Sequence, residues 1–162
     1  MKLPRVGLGY DVHRFSDDPA RPFVLGGVTF EGETGLVGHS DADAAAHAIA
    51  DALLGAAGLG DIGQHFPDTD EEWKDADSLV LLRAIALRVQ AAGFEIGNVD
   101  CTVVTEAPKL APKRDEMEKA LSAAIDAPVT VKATRPEALG ALGRGEGLAC
   151  LAVALIVPAE VS

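Results

Sequence analysis

The stretch GHSDADAAAHAIADALLG, residues 38–55, joins a polar turn to a run of small apolar residues. It predicts a helix over 41–56, because alanine has the highest helix propensity and apolar residues recur there at helical spacing. Ser40 is the predicted N-cap, with Asp43 three residues later as in a capping box. The small side chains of such a helix allow a neighbouring element to approach closely.

A strand is predicted over 5–15, RVGLGYDVHRF, because two kinds of residue alternate along it. One face carries Val6, Leu8, Tyr10 and Val12, and the other carries Gly7, Gly9, Asp11 and His13. Asp11 and His13 therefore point off the same face of the strand, where a facing helix can supply a third polar group.

His47, in the middle of the small-residue helix, is the candidate for that third group. Two imidazoles and one carboxylate suit zinc or a similar divalent ion, and three protein ligands leave one coordination position open for catalysis. Asp43 and Asp51, one helical turn on either side of His47, can fix its tautomer or act as local acceptors. The alternatives are a chance Asp-x-His pair, a histidine satisfied in the core or on the surface, and a solvated helix face.

Groups suited to phosphate recur in the second half of the chain. Lys132 and Thr134 share one face of a predicted strand and can hold phosphate oxygens, while Glu137 can hold a hard cation such as Mg²⁺. Arg144 lies in GRGEG, where glycines allow backbone N–H groups to approach an anion. The alternative for these residues is a charged loop ahead of a strand.

Two further segments offer ligand-binding groups. His39 and Ser40 precede the helix, whose N-terminus favours an anion, although Ser40 can equally be a plain helix cap. The proline-rich loop TEAPKLAPK, residues 105–113, leaves a strand, and Lys109 and the loop backbone can cradle a base. Loops of this composition are common, so the pattern is equally compatible with an ordinary connection.

Strands and helices alternate along the rest of the chain. Periodicity and turn signals predict strands over 22–30, 98–106, 128–134 and 148–157, helices over 76–92 and 112–125, and a turn-rich segment over 60–70. This order predicts an α/β protein with helices on one or both faces of a sheet. Because no repeat or linker divides the chain, one domain with a substantial core is expected.

Composition limits the functional classes. The formal net charge of −11 over 162 residues disfavours nonspecific binding to nucleic acid or to an anionic membrane. The longest apolar run, 148–157, is too short to span a bilayer, and the first residues carry no secretion signal, so a cytoplasmic protein is expected. Cys101 and Cys150 are predicted to be reduced core residues.

Five segments occur in an order that is typical of one enzyme family. They are YDVHRF (10–15), GHSDADAAAHAIADALLGAAGLGDIGQHFPDTD (38–70), DADS (75–78), GNVDCTVVTEAPKL (97–110) and GRGEGLAC (143–150). On these segments the chain resembles the 2-C-methyl-D-erythritol 2,4-cyclodiphosphate synthases of the non-mevalonate isoprenoid pathway, over about residues 5–157. The resemblance implies one synthase domain over 1–162, of class α/β (α+β), with helices on one face of a mixed sheet. It also implies a three-fold homotrimer with active sites between subunits, and no room for the cytidylyltransferase domain that is fused in some relatives.

The implied reaction is an intramolecular phosphoryl transfer, which makes the enzyme a phosphorus–oxygen lyase. In 4-diphosphocytidyl-2-C-methyl-D-erythritol 2-phosphate, the 2-phosphate attacks the β-phosphorus, CMP leaves and an eight-membered cyclic diphosphate forms. The enzyme has to fold the substrate, align attacker and leaving group, and neutralise charge. The implied metals are zinc, or a similar divalent ion, at Asp11, His13 and His47, and Mg²⁺ or Mn²⁺ held by Glu137 on the substrate diphosphate.

The resemblance also implies a set of substrate contacts. On the methylerythritol side they are Asp11, His13, His39, Ser40, Asp61, Ile62, Gly63 and the mobile-loop residues Phe66, Pro67, Asp68, Thr69 and Asp70. On the cytidine and diphosphate side they are Thr105, Glu106, Ala107, Pro108, Lys109, Leu110, Ala111, Lys132, Ala133, Thr134 and Glu137. Arg144 matches an arginine at the mouth of a central trimer cavity that can hold an isoprenoid diphosphate. The expected catalytic groups are His39, Thr134 and Arg135.

The chain departs from the family pattern at one phosphate-binding run. The family usually reads Lys-Ala-Thr-Thr-Thr where this chain reads KATRP, residues 132–136, so Arg135 replaces a threonine credited with transition-state stabilisation. Arg135 can add positive charge near the phosphates or point elsewhere, and Pro136 removes a backbone donor. Ala141 replaces the aromatic residue that often lines the central cavity, and His65 is expected to be a surface residue and not a ligand.

Two other functions are compatible with these residues. A zinc-dependent phosphodiesterase would use water as the attacker and release an open-chain product. A non-catalytic trimer that binds isoprenoid diphosphates or metal would bind ligand without turnover. The intact set Asp11, His13 and His47, together with Lys132, argues against the non-catalytic trimer, because a protein that only binds would have little need of an open three-ligand metal site.

Overall fold

The fold is given by a computed structural model that describes residues 3–160, so the first two and last two residues of the predicted domain 1–162 lie outside the described part. The elements are β1 (Arg5–Arg14), β2 (Val24–Leu25), β3 (Val28–Thr29), α1 (Ala44–Ala57), α2 (Ile62–His65), α3 (Ser78–Ala91), β4 (Phe94–Val104), α4 (Arg114–Ile125), β5 (Val129–Thr134), α5 (Gly140–Gly143) and β6 (Gly147–Pro158). Short 3-10 turns, Glu71–Trp73 and Ala111–Lys113, precede α3 and α4.

The main sheet has four strands in the order β1-β6-β4-β5, and β2 and β3 form a separate hairpin. β6 runs antiparallel to both β1 and β4, whereas β4 and β5 run parallel to each other. α4 supplies the crossover between the parallel strands, since two parallel neighbours cannot be joined by a tight turn. The prediction of an α/β protein with a mixed sheet is therefore confirmed.

Helices α1, α3 and α4 pack on one face of this sheet. The strand residues that face α1 are small: a Cβ on Gly9 would lie 1.8 Å from the carbonyl oxygen of Ala48. The alternate side chains of β1 face away from the helices and are exposed, and they are Val6, Leu8, Tyr10 and Val12. The alternation in the sequence thus separates a helix-facing side of small and polar groups from an uncovered apolar side.

The continuous strand predicted over 22–30 is wrong. The segment is a hairpin, because Gly26 and Gly27 adopt positive φ angles of 59° and 73° and reverse the chain between β2 and β3. Asp43 holds this turn, since its carboxylate accepts hydrogen bonds from the N–H groups of the two glycines at 2.8 and 2.6 Å. The hairpin is thereby fastened to the start of α1.

The N-cap of α1 is Asp43, and the predicted cap at Ser40 is wrong. The side chain of Asp43 accepts a hydrogen bond from the Ala46 N–H at 3.0 Å. The helix cannot begin directly after Ser40, because Ala42 has a positive φ of 59°. Burial raises the pKa of Asp43 above its usual value of 3.8, against the opposing effect of its backbone N–H partners.

The other predicted strands and helices are present, with their ends displaced by a few residues. α3 begins after its N-cap Asp77 and ends close to Gly93, whose φ is 87°. Cys101 and Cys150 are free and buried, which confirms their place in the core. Within residues 3–160, no helix is long and apolar enough to cross a membrane.

Candidate active site

Three polar side chains converge where β1 faces α1. Asp11 and His13 project from β1 and His47 projects from α1, and one potential ligand atom of each lies within 4.8 Å of the other two. Asp11 Oδ2 is 2.8 Å from His13 Nε2 and 3.4 Å from His47 Nδ1. The structure therefore brings together all three residues of the predicted zinc-ligand set.

These residues fit a divalent metal ion. Asp11 Oδ2 and His13 Nε2 are buried, and their 2.8 Å contact does not have the geometry of a hydrogen bond. Both atoms thus lack a satisfied polar partner while pointing at a common centre. A carboxylate and two imidazoles are ligands that zinc prefers, and a set of three leaves one position open. The donor set and its unpaired atoms match what a metal shared with a substrate requires.

The local charges keep Asp11 ionised. Burial alone would raise the pKa of Asp11, but the contacts and charges of His13 and His47 outweigh burial and lower the pKa from 3.8 to about 2. Burial acts against protonation of His13, but the contact with Asp11 raises its pKa above 6.5 overall. Asp11 is therefore a carboxylate at neutral pH, which is the form that binds metal.

Each imidazole is held through its second nitrogen. His13 Nδ1 donates a hydrogen bond to the Val37 carbonyl oxygen at 2.7 Å, which leaves Nε2 with a lone pair directed at the centre. His47 Nε2 lies 2.8 Å from Ser78 Oγ and 3.2 Å from Ser40 Oγ, while its Nδ1 faces Asp11. The two rings therefore present different nitrogens to the same point.

The side chains of Asp43 and Asp51 accept hydrogen bonds from backbone N–H groups and are not the partners of the His47 ring. Asp43 is engaged by the hairpin and the helix cap, and Asp51 Oδ1 accepts from the Ile62 N–H at 2.7 Å. The ring is held by the hydroxyl of Ser78, a residue that the sequence analysis missed. The available signal was its position in the DADS segment, at the start of a helix.

Asp11, His13 and His47 are together called the metal group below. A cavity of about 520 Å³ opens beside them. Its lining contains the predicted residues Asp11, His13, His39, Ser40, His47, Ile62, Gly63, Phe66, Pro67 and Asp68, together with Val37, Gly38, Trp73 and Leu81, which were not predicted. Three predicted contacts, Asp61, Thr69 and Asp70, are not among the lining residues. Asp61 caps α2, and the Asp70 carbonyl oxygen lies 3.0 Å from His39 Nε2.

Aromatic and cationic groups support the segment beside this cavity. Phe66 packs edge-on against Trp73 with ring centroids 4.8 Å apart, and the Arg88 guanidinium carbon lies 5.0 Å from the Phe66 centroid. His65 contacts Arg88 and lies 2.8 Å from the Leu59 carbonyl oxygen. His65 was predicted as a surface residue. It is half-buried, and its contacts with Arg88 and Leu59 hold it next to Phe66.

A second cavity, of about 490 Å³, lies between the loop after β4 and the loop after β5. Its lining contains the predicted residues Thr105, Glu106, Pro108, Lys109, Leu110, Ala111, Ala133, Thr134, Arg135 and Glu137. Arg114, which was not predicted, also lines it, and its Nε is buried without a hydrogen-bond partner. Arg114 lies at the start of α4 in no recognisable motif, so the sequence offered no signal for it. The lining residues of the two cavities do not overlap.

Besides Asp61, Thr69 and Asp70, three further predicted substrate contacts lie outside both linings. Lys132 pairs with Asp100 of the neighbouring strand, and Arg144 Nε donates to Glu146 Oε2 at 2.6 Å. Ala107 lines a smaller cavity of about 290 Å³. In the single chain, the charged groups of Lys132 and Arg144 are therefore engaged by carboxylates.

Arg135 joins the two loops of the second cavity. Its Nε and Nη2 donate to Glu106 Oε2 at 3.2 and 3.1 Å, while Glu106 Oε1 accepts from the Ala138 N–H at 2.7 Å. The Ala138 N–H, with Arg135 as a further contributor, lowers the pKa of Glu106 below its usual value of 4.5. Of the two expectations for Arg135, the observed contact is with a carboxylate of the facing loop.

An aspartate and two histidines that could hold a metal ion, set beside a cavity on a mixed sheet, define an α/β protein with a candidate metal site. The chain belongs to the YgbB family, whose model matches residues 4–157.

Named relatives cover nearly the whole chain. It is 58% identical over 158 residues to the 2-C-methyl-D-erythritol 2,4-cyclodiphosphate synthase of Burkholderia ambifaria (strain MC40-6), covering 96% of this chain and 97% of that protein. It is 57% identical to the bifunctional enzyme IspD/IspF of Anaeromyxobacter sp. (strain Fw109-5), covering 94% of this chain but 39% of that protein. The chain thus spans about two fifths of the length of such bifunctional relatives. A solved structure of IspF from Plasmodium falciparum in complex with CDP is similar with a TM-score of 0.84 at 32% identity, covering 99% of each chain.

Proposed function

We propose that this chain, as a single domain over 1–162, converts 4-diphosphocytidyl-2-C-methyl-D-erythritol 2-phosphate into 2-C-methyl-D-erythritol 2,4-cyclodiphosphate and CMP. The observation that carries this proposal is the group Asp11, His13 and His47, whose potential ligand atoms converge beside a cavity. The identity of 58% to a synthase over nearly its whole length supports the same reaction. The enzyme is then a phosphorus–oxygen lyase of isoprenoid precursor synthesis.

The proposed reaction needs no protein nucleophile and no water. An oxygen of the 2-phosphate forms a bond to the β-phosphorus, and the bond from that phosphorus to the oxygen that bridges it to the α-phosphorus breaks. The electron pair of the broken bond leaves with CMP. Because both reacting groups belong to one molecule, catalysis rests on holding them in line and on neutralising phosphate charge.

The methylerythritol phosphate is proposed to occupy the cavity beside the metal group. His39 and Ser40 line it just before α1 and can donate hydrogen bonds to phosphate oxygens. Phe66 and its neighbours can cover the sugar and exclude water from the reacting atoms. A zinc ion at Asp11, His13 and His47 would act as a Lewis acid on phosphate oxygens.

The cytidine diphosphate part is proposed to occupy the second cavity. The CDP complex of the similar Plasmodium falciparum structure supports a cytidine nucleotide as ligand. Lys109 and the surrounding backbone can enclose the base, and the Thr134 hydroxyl can donate to the diphosphate. Glu137 would hold Mg²⁺ or Mn²⁺ on the diphosphate. Arg135 is proposed to hold the loop through Glu106, with a direct contact to phosphate as the competing role.

The active assembly is proposed to be a three-fold homotrimer. The uncovered face of the sheet exposes apolar side chains on two adjacent strands, Val6, Leu8, Tyr10 and Val12 on β1 and Leu151 and Val153 on β6. An apolar face of this kind is typical of an interface, and copies of the same chain around a three-fold axis form a closed assembly. Because the two cavities share no lining residue, a complete site between subunits would draw one cavity from each.

A phosphorus NMR time course with the purified protein, the cytidine diphosphate substrate, Zn²⁺ and Mg²⁺ tests this function. We expect CMP and a cyclic diphosphate to grow in equal amounts, and a chelator to abolish both. Asp11→Asn should lower the rate by orders of magnitude. The control Asp126→Asn changes an aspartate in a left-handed position at the end of α4, where asparagine is tolerated, and should retain activity.

Each of the other functions gives a different result in the same experiment. CMP with an open-chain product would indicate the zinc-dependent phosphodiesterase. Substrate that binds without turnover would indicate the non-catalytic trimer that binds isoprenoid diphosphates or metal. The relatives named as synthases do not favour that alternative.

A further inference from the structure

We propose that Ser78 and Asp41 act together as positioning residues that fix His47 as a metal ligand through Nδ1. This inference rests on the proposed metal centre and names two residues outside it. Neither side chain points at the centre, since both act on the far side of the His47 ring. Their role is to decide which nitrogen of that ring carries the proton.

The contacts run in one line from the ring to a carboxylate. His47 Nε2 lies 2.8 Å from Ser78 Oγ, and the Ser78 hydroxyl donates a hydrogen bond to Asp41 Oδ1. Ser78 is 1% exposed, so water does not compete for its hydroxyl. His47 Nδ1, on the opposite side of the ring, faces Asp11 Oδ2 at 3.4 Å.

The proton count along this line has one consistent solution. An ionised carboxylate can only accept, so the single proton of the Ser78 hydroxyl is committed to Asp41. Ser78 Oγ then offers only lone pairs to the imidazole, and His47 Nε2 must carry the proton that it donates. In the neutral imidazole, which is the form that binds a metal, a proton on Nε2 leaves Nδ1 with a free lone pair.

Backbone hydrogen bonds fix the position of Asp41, which accepts the hydrogen bond from the Ser78 hydroxyl. Its Oδ2 accepts from the Ser78 N–H and its Oδ1 from the Asp43 N–H, each at 3.1 Å, while its own N–H donates to the Ala76 carbonyl oxygen at 3.1 Å. These bonds tie the turn before α1 to the start of α3. The metal ligand on α1 is therefore oriented by the helix that packs beside it.

Ser40 is a weaker competitor for the same nitrogen. Its Oγ lies 3.2 Å from His47 Nε2, farther than Ser78 Oγ, and 3.4 Å from Ser78 Oγ. It also accepts from the Ala42 N–H at 3.3 Å. If the Ser40 hydroxyl donated to His47 Nε2, the proton of the neutral ring would lie on Nδ1, and the ring could not bind a metal through that nitrogen. The shorter contact of Ser78 favours the arrangement with the proton on Nε2.

The other imidazole, that of His13, also has its proton fixed by an acceptor on the far side of the ring. The Val37 carbonyl oxygen fixes the proton of His13 on Nδ1, and a carbonyl needs no further partner to be an acceptor. A serine hydroxyl can donate as well as accept, so it imposes a tautomer only when its own proton is engaged elsewhere. Asp41 supplies that engagement.

The test is the metal affinity of Ser78→Ala, measured on metal-free protein by competition between the site and a chromophoric chelator for Zn²⁺. We expect a loss of about 10- to 100-fold, the usual effect of removing the group that orients a ligating histidine. The visible spectrum of the Co²⁺-loaded protein should change as well, since it reports ligand geometry. Ser78→Thr keeps the hydroxyl and should restore most of the affinity.

The matched control is Ser122→Ala, which removes a serine hydroxyl that accepts from the Val129 N–H at 2.9 Å, far along the chain from the metal group. It should lower stability without changing metal affinity. A purely structural role for Ser78 predicts the same result for Ser78→Ala, and that result would overturn the inference. If Ser78→Ala does not fold, Asp41→Asn decides: reduced affinity supports the inference and unchanged affinity overturns it.

Failure of the proposed metal centre gives a separate result. Wild-type protein that binds neither Zn²⁺ nor Co²⁺ would refute the centre and, with it, any positioning role. Wild-type protein that binds both ions while Ser78→Ala binds them equally well would refute the positioning role alone.

Discussion

Arg135 places a full positive charge beside a phosphate-binding run, yet its guanidinium is engaged by Glu106. We therefore expect Arg135→Ala to loosen the loop after β4 and to raise KM for the cytidine substrate by about two- to fivefold, the effect of an exposed ion pair. kcat should stay within about twofold. Steady-state kinetics with the purified variant separates the two constants.

Lys113→Ala is the control for this variant, because Lys113 forms a comparable exposed pair with Glu116 at 3.3 Å. It should leave both kinetic constants unchanged. A fall in kcat of tenfold or more for Arg135→Ala, with KM unchanged, would instead assign Arg135 to the charge that develops in the transition state.

The pKa of Glu106 gives a second measurement on the same contact. The Ala138 N–H and Arg135 hold this pKa below 4.5 in the folded protein. The ionised Glu106 carboxylate therefore stabilises the fold above pH 4.5, and this contribution is lost as the pH falls through the pKa of the folded protein. Arg135→Ala should raise the pKa only part of the way to 4.5, since the Ala138 N–H remains. A carbon-detected NMR titration of the Glu106 carboxyl measures it, and an unchanged pKa would contradict a guanidinium contact in solution.

At the scale of elements, the metal group depends on how closely β1 approaches α1. Asp11 and His13 lie on one element and His47 on the other, so their separation follows the distance between strand and helix. Gly9 allows that distance, because its Cα lies against the helix backbone. The alanines of α1 provide the matching small surface.

Gly9→Ala should separate the two elements. The added Cβ would lie 1.8 Å from the Ala48 carbonyl oxygen and 2.7 Å from the Ala52 nitrogen, and backbone atoms cannot move aside as a flexible side chain can. We expect the free energy of unfolding to fall by about 3 kcal/mol or more and the zinc affinity to fall with it. Urea unfolding of the metal-free protein and chelator competition measure the two effects.

Gly55→Ala is the control for this substitution. Gly55 lies within α1 but a Cβ there would meet no atom within 4 Å, so alanine should raise stability by up to about 1 kcal/mol through its helix propensity. Equal stability losses in both variants would show that the effect at Gly9 is not a steric one.

The sequence predicted these two elements and the convergence of Asp11, His13 and His47, but not all the contacts that hold them in place. The alternation along β1 separates Asp11 and His13 from the apolar residues, and this local pattern needs no knowledge of the rest of the fold. The cap of α1 was misplaced, because the groups that engage Asp43 include Gly26 and Gly27, far back along the chain. Local spacing cannot reveal such a contact.

The partner of His47 was missed for the same reason. Ser78 is 31 residues away and meets the ring only because α3 packs beside α1. Arg114 likewise reaches the second cavity through the crossover between β4 and β5. The residues proposed to bind directly were visible in motifs, whereas those proposed to orient or complete the site depend on tertiary packing.

At the scale of the whole molecule, one face of the sheet carries apolar side chains that no other part of the described chain covers. The side chains of Val6, Leu8 and Tyr10 are 65%, 66% and 54% exposed on adjacent positions of one strand face. Exposed apolar area of this kind is costly in water unless another surface covers it. In the proposed trimer, copies of the same chain cover this face.

Leu8→Glu places a charge at the centre of this face and should dissociate the assembly, because an unpaired carboxylate cannot be buried without a large cost. Sedimentation velocity should then show a monomer, whereas we expect a trimer for the wild-type protein. The synthase activity should be lost with the assembly because each proposed site draws on two subunits. Leu87→Glu is the matched control, since Leu87 is also 60% exposed but lies on α3, away from the sheet face. It should leave both sedimentation and activity unchanged. A monomeric Leu8→Glu protein that retains full activity would show that one chain contains a complete site, and a wild-type monomer would remove the trimer from the proposal.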